Sequence, residues 1–116
     1  MIIGIGVDII EVARVRKAIE RNPRFVERIF TDRETAYCAG KKNRFQHLAA
    51  RFAAKEAFFK ALGRPVAWVE VETVNLPSGR PELIIHAPGD LGFDRVHVSL
   101  SHLADYAVAV VVLEKA

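Results

Sequence analysis

The first ten residues are almost continuously apolar. Ile2, Ile3, Ile5, Val7, Ile9 and Ile10 are interrupted only by Gly4, Gly6 and one carboxylate, Asp8. A β-branched run of this kind predicts a buried strand over residues 1–10. The two glycines weaken it locally and permit close approach of another backbone. Over residues 11–20 the period becomes helical, with Val12, Val15 and Ile19 on one face, until Asn22-Pro23 breaks it. A short helix is expected over 24–30. Thr31 and Glu34 then form a T-x-x-E capping box that opens a third helix, closed by Gly40. Lys41-Lys42-Asn43-Arg44 reads as a solvated connection, and residues 46–62 as the longest helix, stopped by Gly63 and Pro65.

Beyond that point the period is two. Residues 68–76 alternate, with Val69, Val71 and Thr73 opposed to Glu70, Glu72 and Val74. Ser78-Gly79 is a turn signal, residues 82–87 a second strand, and Pro88-Gly89-Asp90 the start of a loop. Residues 96–102 and 106–113 form a closing hairpin joined by Leu103-Ala104-Asp105. One strand, several helices and then four strands predict an α+β fold, with a mainly antiparallel sheet packed on a long helix. The 116 residues suffice for one domain with one core, spanning 1–116.

Charge changes this picture by its distribution. Residues 1–64 carry 14 Lys/Arg and 7 Asp/Glu, while residues 65–116 carry 3 and 7. The basic half should attract an anionic partner: a nucleic acid, a phosphorylated cofactor or an acidic protein. A solvated helical surface is the simpler explanation. No basic run interleaved with aromatics and no nucleic-acid motif supports the first of these partners. The apolar runs are too short for a membrane helix, and no basic stretch precedes an apolar segment at the start. A single cysteine, Cys38, rules out an intramolecular disulfide and suits a cytoplasmic location.

Three polar features fall where the pattern predicts burial. Asp8 lies inside an aliphatic run, where an unpaired carboxylate is costly. A cation, a helix N-terminus or solvent at the strand end could relieve it, and so could a role as cap of the helix near Glu11. Glu56 and Lys60 are four apart on the long helix and share their direction with Ala49, Phe52 and Ala53, whereas Arg51 and Lys55 point elsewhere. The small alanines would let another molecule approach closely. The plain alternative is an i,i+4 ion pair worth only ~0.3–0.5 kcal/mol. His102 shares the apolar face of its strand with Val96, Val98 and Leu100, whereas His97, Ser99 and Ser101 take the other face. A hydrogen-bonded core or rim histidine is the commoner explanation of such a position.

Other chemistries find little support. One cysteine gives no Cys-rich zinc site, and His47, His86, His97 and His102 lack metal-motif spacing. There is no Walker-type loop and no G-x-G-x-x-G. Ser99 and Ser101 stand too close to His102 along one strand to form a nucleophile–base pair by themselves.

The segments G-I-G-V-D-I-I-E-V-A-R-V at the start and R-F-A-A-K-E-A-F-F-K-A at 51–61 resemble holo-acyl-carrier-protein synthase, the small bacterial class of 4'-phosphopantetheinyl transferases. V-H-V-S-L-S-H-L-A-D-Y-A-V-A-V-V-V is similar to that family's closing strand pair, and N-L-P-S-G-R-P to its N-x-x-G-x-P turn. The resemblance implies the 4'-phosphopantetheinyl transferase fold. It also implies transfer of the 4'-phosphopantetheine arm of coenzyme A to a serine of acyl carrier protein, with release of 3',5'-ADP, in support of fatty acid biosynthesis. It assigns Mg2+ to Asp8 and Glu56, catalysis to Glu56 and Lys60, and cofactor contacts to Arg51, Lys60 and His102. It further implies a basic docking surface for acyl carrier protein at Arg14, Arg21, Arg24 and Arg28, and a homotrimer with coenzyme A between subunits. Whether Glu56 or a metal-bound water oriented by Asp8 or Glu56 takes the serine proton stays open, as does a non-catalytic trimer that binds coenzyme A without consuming it.

Two departures from the family pattern stand out. Only Gly63-Arg64-Pro65-Val66-Ala67 separates Leu62 from Trp68, shorter than the family's glycine-containing segment, and Leu103 stands where threonine is common.

Overall fold

The computed structural model describes residues 1–116. The elements run β1 (Ile2–Glu11), α1 (Val12–Arg21), α2 (Arg24–Ile29), α3 (Asp32–Ala39), α4 (Arg44–Leu62), a 3-10 turn (Trp68–Glu70), β2 (Val71–Asn75), β3 (Pro81–Ile85), β4 (Arg95–His102) and β5 (Tyr106–Glu114). The α+β class is as expected, but the strands make two sheets. β1, β5 and β4 form one in that order, and β2 pairs with β3 in the other. Every pair is antiparallel.

Helix α4 is the axis of the molecule. Leu48, Ala49 and Ala50 enter one apolar cluster with Val12, Val15, Ile29, Phe30 and Ala107. Ala53, Ala54, Ala57 and Phe58 enter a second with Val71, Leu83, Ala109, Val111 and Leu113. The inward positions of β5 alternate cleanly and begin with two alanines, so the helix lies close over the strand pair. Full burial of a side chain such as Phe58 or Leu113 stabilises the fold by about 1.5–3 kcal/mol each.

The expectation that β1 is buried on both faces is wrong. It is an edge strand, and α4 covers one face only. Ile5, Val7 and Ile9 are 67%, 56% and 63% exposed, whereas Gly6 between them is buried. The partners of these three on β5 are Val112, Val110 and Val108, so the outer face of the sheet is a continuous apolar strip.

Residues 68–76 also depart from the expected strand. Glu72 is buried beside Val71 and Thr73, and the first three residues form a 3-10 turn. The cause is a buried polar node. The ammonium of Lys55, itself fully buried, donates to the carbonyls of Trp68 and Val71 and to Glu34 Oε1, 2.8 Å away. Carbonyls drawn to one cation cannot alternate along a ladder. Glu34 is satisfied in turn by the backbone N–H groups of Thr31, in the capping box foreseen from T-x-x-E, and of Thr73. Glu72 accepts from Thr31, Arg33 and His86. Burial alone would raise its pKa, but these hydrogen bonds outweigh burial and hold it down to about 2.

Candidate active site

Strand β1 and helix α4 meet along a seam free of side chains. A β-carbon added at Gly6 would lie 2.0 Å from the carbonyl oxygen of Ala57, and one at Gly4 2.1 Å from that of Ala61. The close approach that the helix alanines allow is therefore made by the chain's own first strand. Ala49 and Ala53 are likewise fully covered from within, which corrects the expectation that another molecule comes against them. Inward positions on a strand recur every second residue, so Asp8 follows Gly4 and Gly6 on the face toward α4. Glu56 and Lys60 each precede an alanine of the seam, and the three charged groups line one cleft.

In this cleft Lys60 pairs with Asp8 and not with Glu56. Its ammonium lies 3.2 Å from Asp8 Oδ1 and donates to the Val7 carbonyl at 3.0 Å. Asp8 does not cap α1; Glu11 holds the cap position without a side-chain bond, and the first helical N–H, of Val12, donates to the Asp105 carbonyl. The Glu56 carboxyl is held above the usual carboxylate range, first by burial and then by the charge of Asp8, with Lys60 opposing. The cleft, about 470 Å³, is walled by Val15 and Ala18 of α1, Phe25 of α2 and Phe52 of α4, with Arg14 also on its lining. Phe52 is stacked between Phe25 and Trp68, with ring centroids 6.1 and 5.2 Å apart, so the wall is rigid.

The donor set can be tested against a magnesium ion. No third His, Cys, Asp or Glu joins the two carboxylates. Magnesium binds through one or two carboxylates and takes its remaining oxygens from water and phosphate, so two protein ligands in an open cleft suit it. The ionisation that Asp8 disfavours at Glu56 is what a divalent cation between them restores. The residues present fit the ion.

Arg51 and His102 lie elsewhere. They line a second pocket, about 200 Å³, with Tyr37, His47, Ala50, Asn75, Gly79, Pro81 and Leu100; the two pockets have no residue in common. Arg51 is buried, donates to Asn75 and stacks its guanidinium 4.3 Å from the Tyr37 ring centroid. His102 bonds Gln46 through Nδ1 at 2.9 Å, as a rim histidine would. Arg14, Arg21, Arg24 and Arg28 are all exposed on α1 and α2, the helices that wall the first cleft. Cys38 is buried, and burial pushes its thiol up to about 11, which leaves it unreactive.

Sequence reasoning passed over His47, Tyr37 and Asn75. His47 had a signal, since it precedes Arg51 by four on α4 and so projects toward the same side. Tyr37 and Asn75 come from distant segments and carried none.

With this geometry in hand, comparison with known proteins is direct. A sequence model of the 4'-phosphopantetheinyl transferase superfamily matches residues 4–111, which sets the class of the fold. The holo-[acyl-carrier-protein] synthase of Geobacter sulfurreducens is 48% identical over 99% of both chains. The crystal structure of a holo-(acyl-carrier-protein) synthase from Bacillus anthracis in complex with CoA (3',5'-ADP) superposes with a TM-score of 0.87, at 40% identity over 100% of this chain and 99% of that one. The Helicobacter pylori enzyme in complex with coenzyme A gives 0.83 at 28% identity, over 95% and 99%. The chain belongs to the holo-acyl-carrier-protein synthase family.

Proposed function

We propose that this protein transfers the 4'-phosphopantetheine group of coenzyme A to a serine hydroxyl of apo-acyl carrier protein, releasing 3',5'-ADP, in support of fatty acid biosynthesis in the cytoplasm. The observation that carries this reading is the meeting of Asp8, Glu56 and Lys60 in one cleft across the Gly–Ala seam. Relatives with coenzyme A or its 3',5'-ADP portion bound support the same substrate.

The serine oxygen attacks the β-phosphorus of the pyrophosphate, and the bond to the bridging oxygen of 3',5'-ADP breaks. A pyrophosphate diester repels nucleophiles by its charge, so positioning and charge neutralisation are what the site must provide. Asp8 and Glu56 are the residues to hold Mg2+, which when bound neutralises phosphate charge in the cleft. Lys60, anchored on the Val7 carbonyl and Asp8, directs its ammonium to the phosphate oxygens where negative charge grows. The proton of the serine is accepted at Glu56 or at a water that Glu56 orients. Phe25, Phe52, Val15 and Ala18 exclude bulk water from one side of the cleft. Arg14, Arg21, Arg24 and Arg28 surround this wall with positive charge and steer the acidic carrier protein to it.

Two observations support a homotrimer with sites shared between subunits. Arg51 and His102 share no pocket with Asp8, an arrangement that suits one coenzyme A touching all of them by bridging two copies. The apolar strip of Ile5, Val7, Ile9 and their β5 partners supplies a surface for a second chain to cover. Incubation with coenzyme A, Mg2+ and apo-carrier protein, followed by mass spectrometry of the carrier, tests the whole reading. Gain of one phosphopantetheine per carrier is expected, and an unchanged carrier mass refutes it.

A further inference from the structure

The pocket around Arg51 carries more than its assigned residues. His47 stands edge-on to His102, with ring centroids 4.7 Å apart, and edge-on to Tyr37 at 5.8 Å. Its charged and titratable neighbours come from three other places: Arg51 one turn along α4, His102 on β4, and Lys41 in the connection before α4, whose ammonium sits over the Tyr37 ring. The lining of this pocket contains no carboxylate. The buried Arg51 Nε has no hydrogen-bond partner within the protein. A concave site with two imidazoles, a guanidinium and a nearby ammonium, but no counter-charge, is built for a small anion of high charge.

Coenzyme A carries two kinds of anion. If its pyrophosphate occupies the cleft of Asp8, Glu56 and Lys60, as proposed above, the group left for this pocket is the phosphate monoester on the ribose. We propose that His47 is a specificity residue that makes recognition of this phosphate monoester depend on a proton taken up with the ligand. The inference rests on the preceding functional reading and adds to it a residue and a proton linkage.

The electrostatics agree in sign. Burial first, and then the positive neighbours His102, Arg51 and Lys41, hold His47 below the ordinary histidine value, so the empty pocket favours neutral imidazole. A dianion brought among these groups reverses the balance and raises the value. Binding then takes up a proton at any pH between the lowered value of the empty pocket and the raised value of the complex. Below about pH 6 the phosphate monoester itself becomes protonated and loses its second charge. His102 donates Nδ1–H to the side-chain oxygen of Gln46, which fixes its ring at the pocket.

The test is calorimetric titration of 3',5'-ADP at pH 7, in two buffers of different ionisation enthalpy, on the intact protein and on His47→Phe and His47→Gln. The intact protein should take up a measurable fraction of a proton per ligand, and both variants less than half as much. In the transfer reaction, His47→Phe should raise KM for coenzyme A about tenfold at pH 6 and less than about threefold at pH 8, with kcat unchanged, because one unit of pKa shift is a tenfold linkage. Equal proton uptake in all three proteins, or the same pH slope of KM, overturns the proposal. Normal transfer with unchanged uptake refutes the role of His47 alone. If the intact protein neither binds 3',5'-ADP nor transfers, the functional reading falls and the proposal with it.

Discussion

Gly6 and Ala57 are in such close contact that a β-carbon on the glycine would lie 2.0 Å from the alanine carbonyl oxygen and 2.8 Å from the Ala61 nitrogen. Both obstacles are backbone atoms of a buried helix and cannot swing aside. Gly6→Ala should therefore lower stability by roughly 3 kcal/mol, the upper end for overpacking. It should also move Asp8 away from Glu56 and lower transfer in whatever fraction stays folded. Chemical denaturation reads the first effect; wild-type stability in this variant would contradict the seam.

Asp8→Ala and Glu56→Ala should each reduce transfer at least a hundredfold at saturating Mg2+ while the far-ultraviolet spectrum stays unchanged, since both side chains sit at the cleft and not in the core. Chelation of divalent ions should abolish turnover in the unaltered protein, and added Mg2+ should restore it. Near-normal rates from either variant would remove the metal assignment.

Lys60→Gln should lower kcat by about 10–100-fold and leave KM for carrier protein within about threefold, as expected for a group whose stabilisation grows with charge in the transition state. A change confined to KM would make Lys60 a binding residue only.

Arg24→Glu should raise KM for carrier protein by about tenfold and KM for coenzyme A little, because Arg24 is exposed on α2 and absent from both pockets. The wild-type rate should fall as salt rises, and the variant's less steeply. Equal effects on the two substrates would argue against a docking surface. Arg14 reaches the cleft itself, so its reversal should raise both constants.

Glu72 gives a pH prediction. Its folded pKa is depressed to about 2 from an ordinary 4.5, so the stability it contributes is present above the unfolded value and is lost as pH falls between about 4.5 and 2. Glu72→Gln should lower stability at pH 7 by on the order of 2–3 kcal/mol and flatten the acid limb of the denaturation curve across that window. An acid limb as steep as that of the unaltered protein would show that Glu72 is not responsible.

How far the sequence reveals this arrangement depends on the range of the forces involved. The capping box at Thr31 and Glu34, the breaks at Pro23 and Gly63, and the closing hairpin of β4 and β5 are local and were legible. The three charged groups of the cleft were legible as anomalies, because a carboxylate in an aliphatic run and a Glu–Lys pair among alanines conflict with their surroundings. What places them together was not legible, since it needs the pairing of Gly4 and Gly6 with residues more than fifty positions away. The 3-10 turn at Trp68 was hidden for the same reason: the lysine that turns its carbonyls lies on α4. The exposure of β1 was misread because an aliphatic run looks alike whether a strand is covered on one face or on both.

The bare contact between the first strand and the long helix has a mechanical consequence. Side chains yield by rotating about single bonds, but here only backbone meets backbone, so there is little to yield. Strand and helix must move as one body, and the gap between the two acids becomes the stiffest dimension of the cleft.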